Sequence, residues 1–400
     1  MKIKGAKARK IYNSKGEEAI EVEIRSEKAV AKGSCDAGTS TGGFEVKAYP
    51  KEGVDFIVNK FNKNISKQIV NLDISDFDDL EEVEKVFGIF DVTEDLKNIG
   101  GNIIIATEYA ILKAVSKGEV WKFLNPKAKK IPGILANIIG GGKHSANNGS
   151  DFQEFLIIPK TKDVSKAIRV SVEIYEKVKE DLKKRDKDFK GGRNIEGALV
   201  PDLLNLEILT LLKKICDKIG KKNRIEIGLG LDIAANGLWN GRRYEYKKFS
   251  KGETKKNLSK EEQIEYIRKL IRNYNLTYVE DPLEEEDFEG FRELNKGLGV
   301  ICGDDLIVTD IERLKNAVRK ISAVIIKPNQ IGSLIKTKEA VDFALKNKIM
   351  PVISHRSGAT NDPIIAHLAV GWGLPLIKTG LMGGERINRL NELIRIKENL

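Results

Sequence analysis

The sequence predicts an α/β fold in which a smaller α+β domain precedes a (β/α)8-type barrel. Three observations predict it. The chain has 400 residues, of which 41% are hydrophobic and 32% charged, which is enough for a large packed core. Its second half repeats short apolar runs that each end in a polar residue and lead into a helical stretch. The last four of these intervals span 23 to 28 residues, the length of one strand, one helix and two short loops.

The α+β domain is expected to occupy residues 1–125 and the barrel residues 126–400. Residues 19–25 alternate isoleucine, valine and alanine with acids, a pattern typical of a strand with one solvated face. One helix is predicted after Ser75 and another over 107–116, because apolar residues recur there at helical spacing. The N-terminal part therefore combines a small sheet with helices.

Six apolar runs beyond residue 220 each end in an ionisable residue. Such runs, alternating with helical stretches such as 309–320 and 333–346, form parallel strands that are buried on both faces. Repeated βα units close into a barrel, and the carboxyl ends of barrel strands carry the chemistry. The six residues at these ends are Asp232, Glu280, Asp304, Lys327, His355 and Lys378. We expect them to meet at one mouth of the barrel.

Three consecutive strand ends carry carboxylates, Asp232, Glu280 and Asp304. Carboxylates held close together in a low-dielectric mouth repel one another, so a cation is expected among them. An all-oxygen set without cysteine or histidine favours a hard ion, and open water positions favour Mg²⁺ over a closed calcium cage. The alternative is that each acid caps the following helix or pairs with a neighbouring lysine.

Lys327 ends the next strand and is the candidate general base. Burial beside bound divalent ions lowers the pKa of an ammonium, and a base that faces such ions suits removal of a proton α to a carboxylate. The alternative is a salt bridge with the acids. His355, Arg356 and Ser357 follow one strand further on, where a guanidinium fork and a hydroxyl suit a phosphate. Lys378 adds a cation for the substrate or for a structural acid.

Charge and cysteine content exclude several other classes. The formal charge is +10, but the lysines are scattered over all helical segments, so no nucleic-acid partner is expected. No apolar run approaches the roughly 20 residues that span a bilayer, and no secretory leader is evident, so we expect no membrane partner and a cytoplasmic location. The three cysteines are widely spaced and suit packing rather than disulfides or metal binding.

Long motifs in this chain resemble the enolase family in the order in which that family carries them. They are GLDIAA around Asp232, YVEDPLEEEDFEGF around Glu280, GDDLIVTD around Asp304, IIKPNQIGS around Lys327, ISHRSG around Arg356 and LIKTG around Lys378. The N-terminal ARKIYNSKGEEAIEVEI and AGTSTGGFE are similar to that family's opening strand and to its mobile metal-covering loop. The resemblance runs from about Ala8 to Leu400.

The resemblance implies a glycolytic lyase, an enolase, that interconverts 2-phosphoglycerate and phosphoenolpyruvate with two Mg²⁺ ions. It implies that Asp232, Glu280 and Asp304 hold the first ion, and that Ser40 closes over a second ion recruited with the substrate. Lys327 would take the C2 proton, and Glu196, supported by Glu154, would protonate the departing C3 hydroxyl.

The remaining implied contacts concern the phosphorylated carboxylate substrate and the partner subunit. The substrate-binding set would be His144, Gln153, Glu154, Lys327, His355, Arg356, Ser357 and Lys378. Arg356 and Ser357 would hold the phosphate, and Lys378 the carboxylate side. The family also forms a homodimer or a dimer-based octamer, with ion pairs that match Arg9, Glu21, Glu385 and Arg395.

Departures from the family pattern lie in loops. Residues 194–198 read NIEGA in place of GDEGG, Ala359 and Asn361 replace acids, and one residue is inserted between His144 and Gln153. These changes leave open a paralogue that acts on another α-proton carboxylic acid. A non-catalytic binding protein on the same scaffold is a third hypothesis. All the candidate metal ligands and Lys327 are present, which argues against the third hypothesis. The segment around Arg356 suits a phosphate, which argues against the paralogue.

Overall fold

The computed structural model of the chain describes residues 1–39, 42–145, 149–185, 189–247, 257–297 and 299–400. Among the implied site residues, Ser40 lies outside these ranges. None of the helices formed by the described residues combines the length and apolar character needed to cross a lipid bilayer.

The N-terminal part is a three-stranded antiparallel sheet with helices packed on it. Its strands are β1 (Gly5–Tyr12), β2 (Glu18–Arg25) and β3 (Val30–Ser34), and its helices are α1 (Val54–Lys60), α2 (Ser66–Ile69), α3 (Leu80–Phe90), α4 (Gly101–Val115) and α5 (Val120–Leu124). A π-helical turn, Phe61–Ile65, joins α1 to α2. Ile20, Val22 and Ile24 of β2 are fully buried, which confirms the predicted strand and its apolar face.

Helix α4 differs most from its predicted bounds. It begins at Gly101, six residues before the predicted start at 107, and most of its residues are buried. It packs against β2 and β3 on one side and touches the short helix that follows Lys327 on the other. A helix that is buried on nearly all sides has no distinct apolar face. The apolar periodicity therefore predicted only the second half of α4.

The barrel closes with eight strands in chain order, and one strand runs against the rest. The strands are β4 (Gly133–Gly140), β5 (Glu154–Pro159), β6 (Ile227–Asp232), β9 (Leu276–Glu280), β10 (Val300–Gly303), β11 (Ala323–Ile326), β12 (Met350–Ser354) and β13 (Leu376–Gly380). Strand β5 is antiparallel to both β4 and β6, and the other neighbouring pairs are parallel. A two-stranded sheet, β7 (Tyr244–Glu245) and β8 (Asn257–Leu258), lies outside it.

Helices follow the strands from β5 onward. They are α6 (Val164–Arg185), α7 (Asn205–Asn223), α8 (Lys260–Tyr274), α9 (Phe288–Leu294), α10 (Ile311–Asn316), α11 (Pro328–Ile331), α12 (Leu334–Lys346), α13 (Ile364–Gly371) and α14 (Gly384–Glu398). The predicted α/β barrel with an N-terminal α+β part is confirmed. The boundary at residue 125 stays a prediction, in the segment between α5 and β4.

Sequence analysis found six of the eight barrel strands. It missed β4 and β5, because these two strands form an antiparallel pair, and the described part of their connection holds a short 3-10 turn, Gly142–Ser145, in place of the helix of a βα unit. Side chains from the strands fill the barrel interior, so the barrel is a packed core and the chemistry is confined to its mouth. The interior cluster consists of Leu135, Leu156, Tyr278, Cys302, Ala323, Ile325 and Val352.

The N-terminal part is attached to the barrel by buried polar contacts. Asp36, which follows β3, accepts from Arg389 of α14 and from the backbone N–H of Thr360. Asp362 pairs with Lys113 of α4 and accepts from the backbone of Ser34. These contacts hold the segment after β3 over the carboxyl ends of the barrel strands.

Replacement of Arg389 by methionine is expected to lower the free energy of unfolding by about 3 kcal/mol, because it leaves Asp36 without its charged partner in a largely buried place. Urea denaturation measures the loss. The matched control is Lys397→Met on the same helix, whose side chain is exposed, and which should cost less than about 1 kcal/mol. Equal losses in the two variants would contradict the proposed attachment.

Candidate active site at the barrel mouth

The six residues predicted at strand ends do meet at one mouth of the barrel. Parallel pairing places Asp232 of β6 beside Glu280 of β9, and Ser354 of β12 beside Lys378 of β13. Asp304 and Lys327 directly follow β10 and β11. All but Lys327 are buried, and Lys327 is 14% exposed at its side chain. The mouth is therefore a compact and strongly charged site.

The ammonium of Lys378 lies between three carboxylates. Its Nζ is 2.8 Å from Asp232 Oδ2, 2.8 Å from Glu280 Oε1 and 3.2 Å from Glu154 Oε2. Burial lowers the pKa of Lys378, but the three acids outweigh burial and raise it well above its ordinary value. Burial, with Asp232 as the next cause, raises the pKa of Glu280 to about 8. In this structure, the positive charge among these three acids is therefore that of Lys378.

The three predicted metal ligands are oriented by hydrogen bonds of their own. Asp232 Oδ1 accepts from the backbone N–H of Ala234 at 3.0 Å, and Glu280 Oε2 accepts from the Tyr278 hydroxyl at 2.7 Å. Asp304 Oδ1 accepts from Gln330 Nε2 at 3.0 Å. Supporting hydrogen bonds of this kind fix the direction in which a ligand oxygen points. An all-carboxylate set held this way fits a hard divalent ion such as Mg²⁺.

The alternative interpretation was that each acid caps the following helix or pairs with a lysine, and only the pairing with lysine is observed. Other residues cap the following helices, namely Ser259 for α8, Asp287 for α9 and Asp310 for α10. Lysine pairing does occur, because Lys378 contacts two of the acids and Lys327 pairs with the third. The carboxylates are therefore free of capping roles and are balanced by the two lysines.

Lys327 pairs with Asp304 Oδ2, and its backbone N–H donates to Thr309 Oγ1 at 2.9 Å. Sequence analysis expected the pKa of this lysine to be lowered. That expectation concerned a site with divalent ions bound, and it stays a prediction. In the protein alone, burial lowers the pKa of Lys327, but the neighbouring acids, chiefly Asp304, raise it more, so the pKa lies above its ordinary value. Lys327 is therefore a protonated ion-pair partner of Asp304 in this structure.

Sequence analysis missed two further acids beside Asp304. Ligand oxygens of Asp281, Asp304 and Asp305 all lie within 4.8 Å of one another. Asp281 accepts from the backbone N–H groups of Asp304 and Asp305, each at 2.8 Å, so its carboxylate shapes the turn that presents Asp304. Burial raises the pKa of Asp305 to about 7. Asp281 and Asp305 directly follow Glu280 and Asp304 in the sequence, but the sequence alone does not show that these acids contact one another.

Opposite this group, Glu154 and Glu196 converge with His144. His144 Nδ1 lies 3.6 Å from Glu154 Oε1 and 3.6 Å from Glu196 Oε2. Asn137 donates to Glu196 Oε2 at 3.3 Å, and burial raises the pKa of Glu154 well above its ordinary value. Gln153 turns the other way and donates to Asp232 at 3.4 Å. Two buried carboxylates this close favour sharing one proton.

The residues around Glu196 that depart from the family pattern form hydrogen bonds that hold this loop in place. Asn194 Oδ1 accepts from the backbone N–H of Glu196 at 2.9 Å and of Ala198 at 3.0 Å, an Asx-type turn. The Tyr175 hydroxyl donates to the carbonyl of Gly197 at 2.9 Å, and Gly197 has a positive φ of 79°. The departure from the family pattern at 194–198 therefore still directs Glu196 into the site.

The predicted phosphate-binding residues contact the segment after β3. Arg356 binds Glu45 through two contacts, Nη1 to Oε2 at 2.9 Å and Nη2 to Oε1 at 3.1 Å, and both side chains are buried. Ser357 Oγ accepts from the backbone N–H of Thr39 at 2.8 Å. Sequence analysis did not find Glu45, because its partner lies 311 residues away. The segment on both sides of Ser40 thus covers this half of the site.

Comparison with known proteins agrees with this geometry. The family model for the enolase N-terminal domain matches residues 3–124, and the model for the enolase C-terminal TIM barrel domain matches residues 128–400. The chain belongs to the enolase family. The enolases of Methanothermobacter thermautotrophicus and Pyrobaculum aerophilum are each 39% identical to it, and each alignment covers 100% of this chain and 97% of the relative. That of Methanosphaera stadtmanae is 38% identical with the same coverage.

Membership of the enolase family confirms the recognition made from the motifs and does not favour the paralogue or the binding protein. Enolases depend on Mg²⁺ in general and act on a phosphorylated carboxylate, and the described residues include acidic groups that could hold such an ion. The number of ions and the role of each residue stay predictions.

Without metal, the protein is expected to lose stability as pH rises from about 5 to 8. Glu280 has a folded-state pKa of about 8, above the 4.5 of an ordinary glutamate. Between these values the folded state keeps a proton that the unfolded chain has released, so rising pH favours unfolding. Urea unfolding in EDTA at pH 6 and pH 8.5 measures the change. Glu280→Gln should weaken this dependence without abolishing it, because burial also raises the pKa values of Glu154 and Asp305. An unchanged slope in that variant would assign the dependence to those other groups.

Proposed function

We propose that this protein catalyses the interconversion of 2-phosphoglycerate and phosphoenolpyruvate through loss and addition of water. The observation that carries the proposal is the pairing of two opposed groups at one barrel mouth. Lys327 pairs with Asp304, and Lys378 contacts both Asp232 and Glu280. Lys378 also lies 3.2 Å from Glu154, whose carboxylate is close to that of Glu196. A base and an acid that act on adjacent carbons are what such an elimination requires.

The metal ligands we propose are Asp232, Glu280 and Asp304 for one Mg²⁺, with Ser40 closing over a second ion. When bound, Mg²⁺ would neutralise the negative charge that develops on the substrate carboxylate as the C2 proton leaves. The supporting hydrogen bonds from Ala234, Tyr278 and Gln330 already direct the oxygens of the first three residues. Lys378, which bridges two of these acids, lies where it can also contact the carboxylate side of the substrate.

Lys327 is the proposed acceptor of the C2 proton. It must be neutral to accept a proton, and its present partner Asp304 favours the charged form. When Asp304 gives its negative charge to another cation, the burial of Lys327 lowers its pKa again and makes it a competent base. The same contact that stabilises the resting site therefore keeps Lys327 protonated until the site is loaded.

The Glu154–Glu196 pair is the proposed proton source for the leaving hydroxyl. Glu196 Oε2 has Asn137 as a donor and faces His144 and His355, contacts that favour a carboxylate, whereas burial favours a proton on Glu154. One proton shared by the pair would be delivered through Glu196 to the C3 hydroxyl. In the reverse direction, the same pair would take a proton from water.

Arg356 and Ser357 are the proposed phosphate ligands, with His144, Gln153 and His355 along the remaining polar edge. Arg356 is held in a fixed, buried fork by Glu45 and Asn329. A dianionic phosphate is a stronger partner for a guanidinium than one carboxylate, so substrate would compete with Glu45 for Arg356. The covering segment that contains Glu45 would then respond to substrate.

A homodimer or dimer-based octamer, acting in the cytoplasm, completes the proposal and rests on the family relationship. The proposed interface charges have partners within the chain: Arg9 pairs with Glu21 and Glu23, Arg395 pairs with Glu392, and Glu385 lies 3.5 Å from Arg386 Nε. Formation of the dimer would have to exchange these partners.

Purified protein with 2-phosphoglycerate and Mg²⁺ is expected to produce the ultraviolet absorbance of the enol phosphate, and EDTA should abolish it. Lys327→Ala should lower the rate by about 1,000-fold or more, because it removes the base. The control is Lys315→Ala, whose side chain is 49% exposed and pairs with Glu312 on the same helix. A flat trace for the unaltered protein would overturn the proposed function.

Loss of the acid should separate the two halves of the reaction. In Glu196→Gln, formation of phosphoenolpyruvate is expected to fall by about 100-fold or more, whereas exchange of the C2 hydrogen with deuterated water continues through Lys327. Mass spectrometry of recovered 2-phosphoglycerate measures the exchange. Lys327→Ala should lose both activities. Parallel loss of both in Glu196→Gln would mean that the two groups do not act on separate carbons.

A further inference from the structure

Arg386, in the first turn of α14, is a fully buried arginine that sequence analysis did not single out. Its Nη1 donates to the carbonyl of Arg356 at 2.7 Å and lies 2.6 Å from His355 Nδ1. Its Nη2 donates to the carbonyl of Ser357 at 2.7 Å and to that of Ile195 at 3.3 Å. One guanidinium thus joins the segment that carries His355 to the loop that carries Glu196.

The contact with His355 fixes the position of a proton. A guanidinium has only N–H donors and keeps its charge throughout the ordinary pH range. The ring nitrogen that faces it must therefore accept, which means that Nδ1 carries no hydrogen. A neutral imidazole has one N–H, so the hydrogen resides on Nε2. Burial, together with Arg386, lowers the pKa of His355 to about 3, in agreement with a neutral ring.

The Nε2 nitrogen of His355 points into the site. It is buried and lies 3.4 Å from Glu196 Oε2, within reach of a hydrogen bond to that carboxylate. In the tautomer with hydrogen on Nε2, the ring presents a donor to this carboxylate and to a substrate oxygen beside it. In the other tautomer, a lone pair would face the carboxylate and repel it.

We propose that Arg386 is a positioning residue that holds His355 in the Nε2–H tautomer and thereby supplies a fixed hydrogen-bond donor next to Glu196. The inference rests on the proposed function of Glu196 as the group that exchanges a proton with the C3 oxygen. Arg386 acts through His355 and through the carbonyls of residues 195, 356 and 357, and it does not touch the substrate itself.

The first test is made on the unaltered protein. The chain has three histidines, His144, His355 and His367, so labelling of histidine with ¹⁵N gives three pairs of ring signals. Long-range ¹H–¹⁵N correlation identifies which ring nitrogen carries hydrogen, and His144→Asn and His367→Asn assign the signals. We expect His355 to be neutral with hydrogen on Nε2 at pH 7. Hydrogen on Nδ1, or a charged ring, would overturn the proposal.

The second test compares Arg386→Met with Arg389→Met. Both remove a buried arginine from the same helix, but Arg389 contacts Asp36 and not His355. Arg386→Met should shift His355 towards the Nδ1–H tautomer or a mixture and lower kcat by about 100-fold. Arg386→Lys, which keeps a charged donor, should restore the Nε2–H signal and part of kcat. Arg389→Met should leave the His355 signals unchanged.

The outcomes separate a positioning role from a purely structural one. If Arg386→Met loses stability and activity but His355 keeps hydrogen on Nε2, the arginine only ties loops together and the proposal is wrong. If Arg386→Met does not fold, the spectrum of the unaltered protein and of Arg386→Lys still decides it. An Nε2–H ring in a protein without activity on 2-phosphoglycerate would support the tautomer assignment and contradict the proposed function of the site.

Discussion

The charge of the barrel mouth depends on a single constraint, that buried carboxylates must be balanced by cations. Asp232, Glu280 and Glu154 surround the ammonium of Lys378, and Asp304 holds that of Lys327. Without the two lysines, the desolvation cost of these acids would oppose folding of the barrel itself. The barrel can therefore fold with these acids at its mouth, because Lys378 and Lys327 balance their charge.

The same constraint explains why the N-terminal part belongs to the site. Arg356 is a third buried cation at the mouth, and its partner Glu45 comes from the segment after β3. Thr39 contacts Ser357, and Asp36 binds Arg389. The barrel alone would leave Arg356 without Glu45, its two-contact ion-pair partner, and would leave one side of the mouth open. Closure of the site and neutralisation of its charges are thus achieved by the same few contacts.

The sequence predicted the parts of the site that follow a repeated rule. Asp232, Glu280 and Lys327 could be found because parallel strands bring their carboxyl ends together wherever the βα period holds. Strand pair β4–β5 breaks that period, and it was missed. Glu45 and Arg386 could not be found from local pattern, because their partners are distant in the chain. The ion pair of Lys327 with Asp304, which keeps the pKa of that lysine above its ordinary value, was the alternative that the sequence left open.

The two halves of the site are held in physically different ways. The acids and lysines lie on or next to strands β6, β9, β10, β11 and β13, so the backbone of the barrel fixes them and leaves little room for sequence change. Glu196 lies on a loop, where hydrogen bonds with residues such as Asn194 and Tyr175 hold the backbone in place. His355 directly follows β12, and Arg386 contacts its ring. Loop sequence can therefore diverge wherever a new donor or acceptor restores the lost bond, as Asn194 does. Residues 194–198 illustrate this, because the Asx-type turn at Asn194 keeps Glu196 directed into the site although the sequence departs from the family pattern.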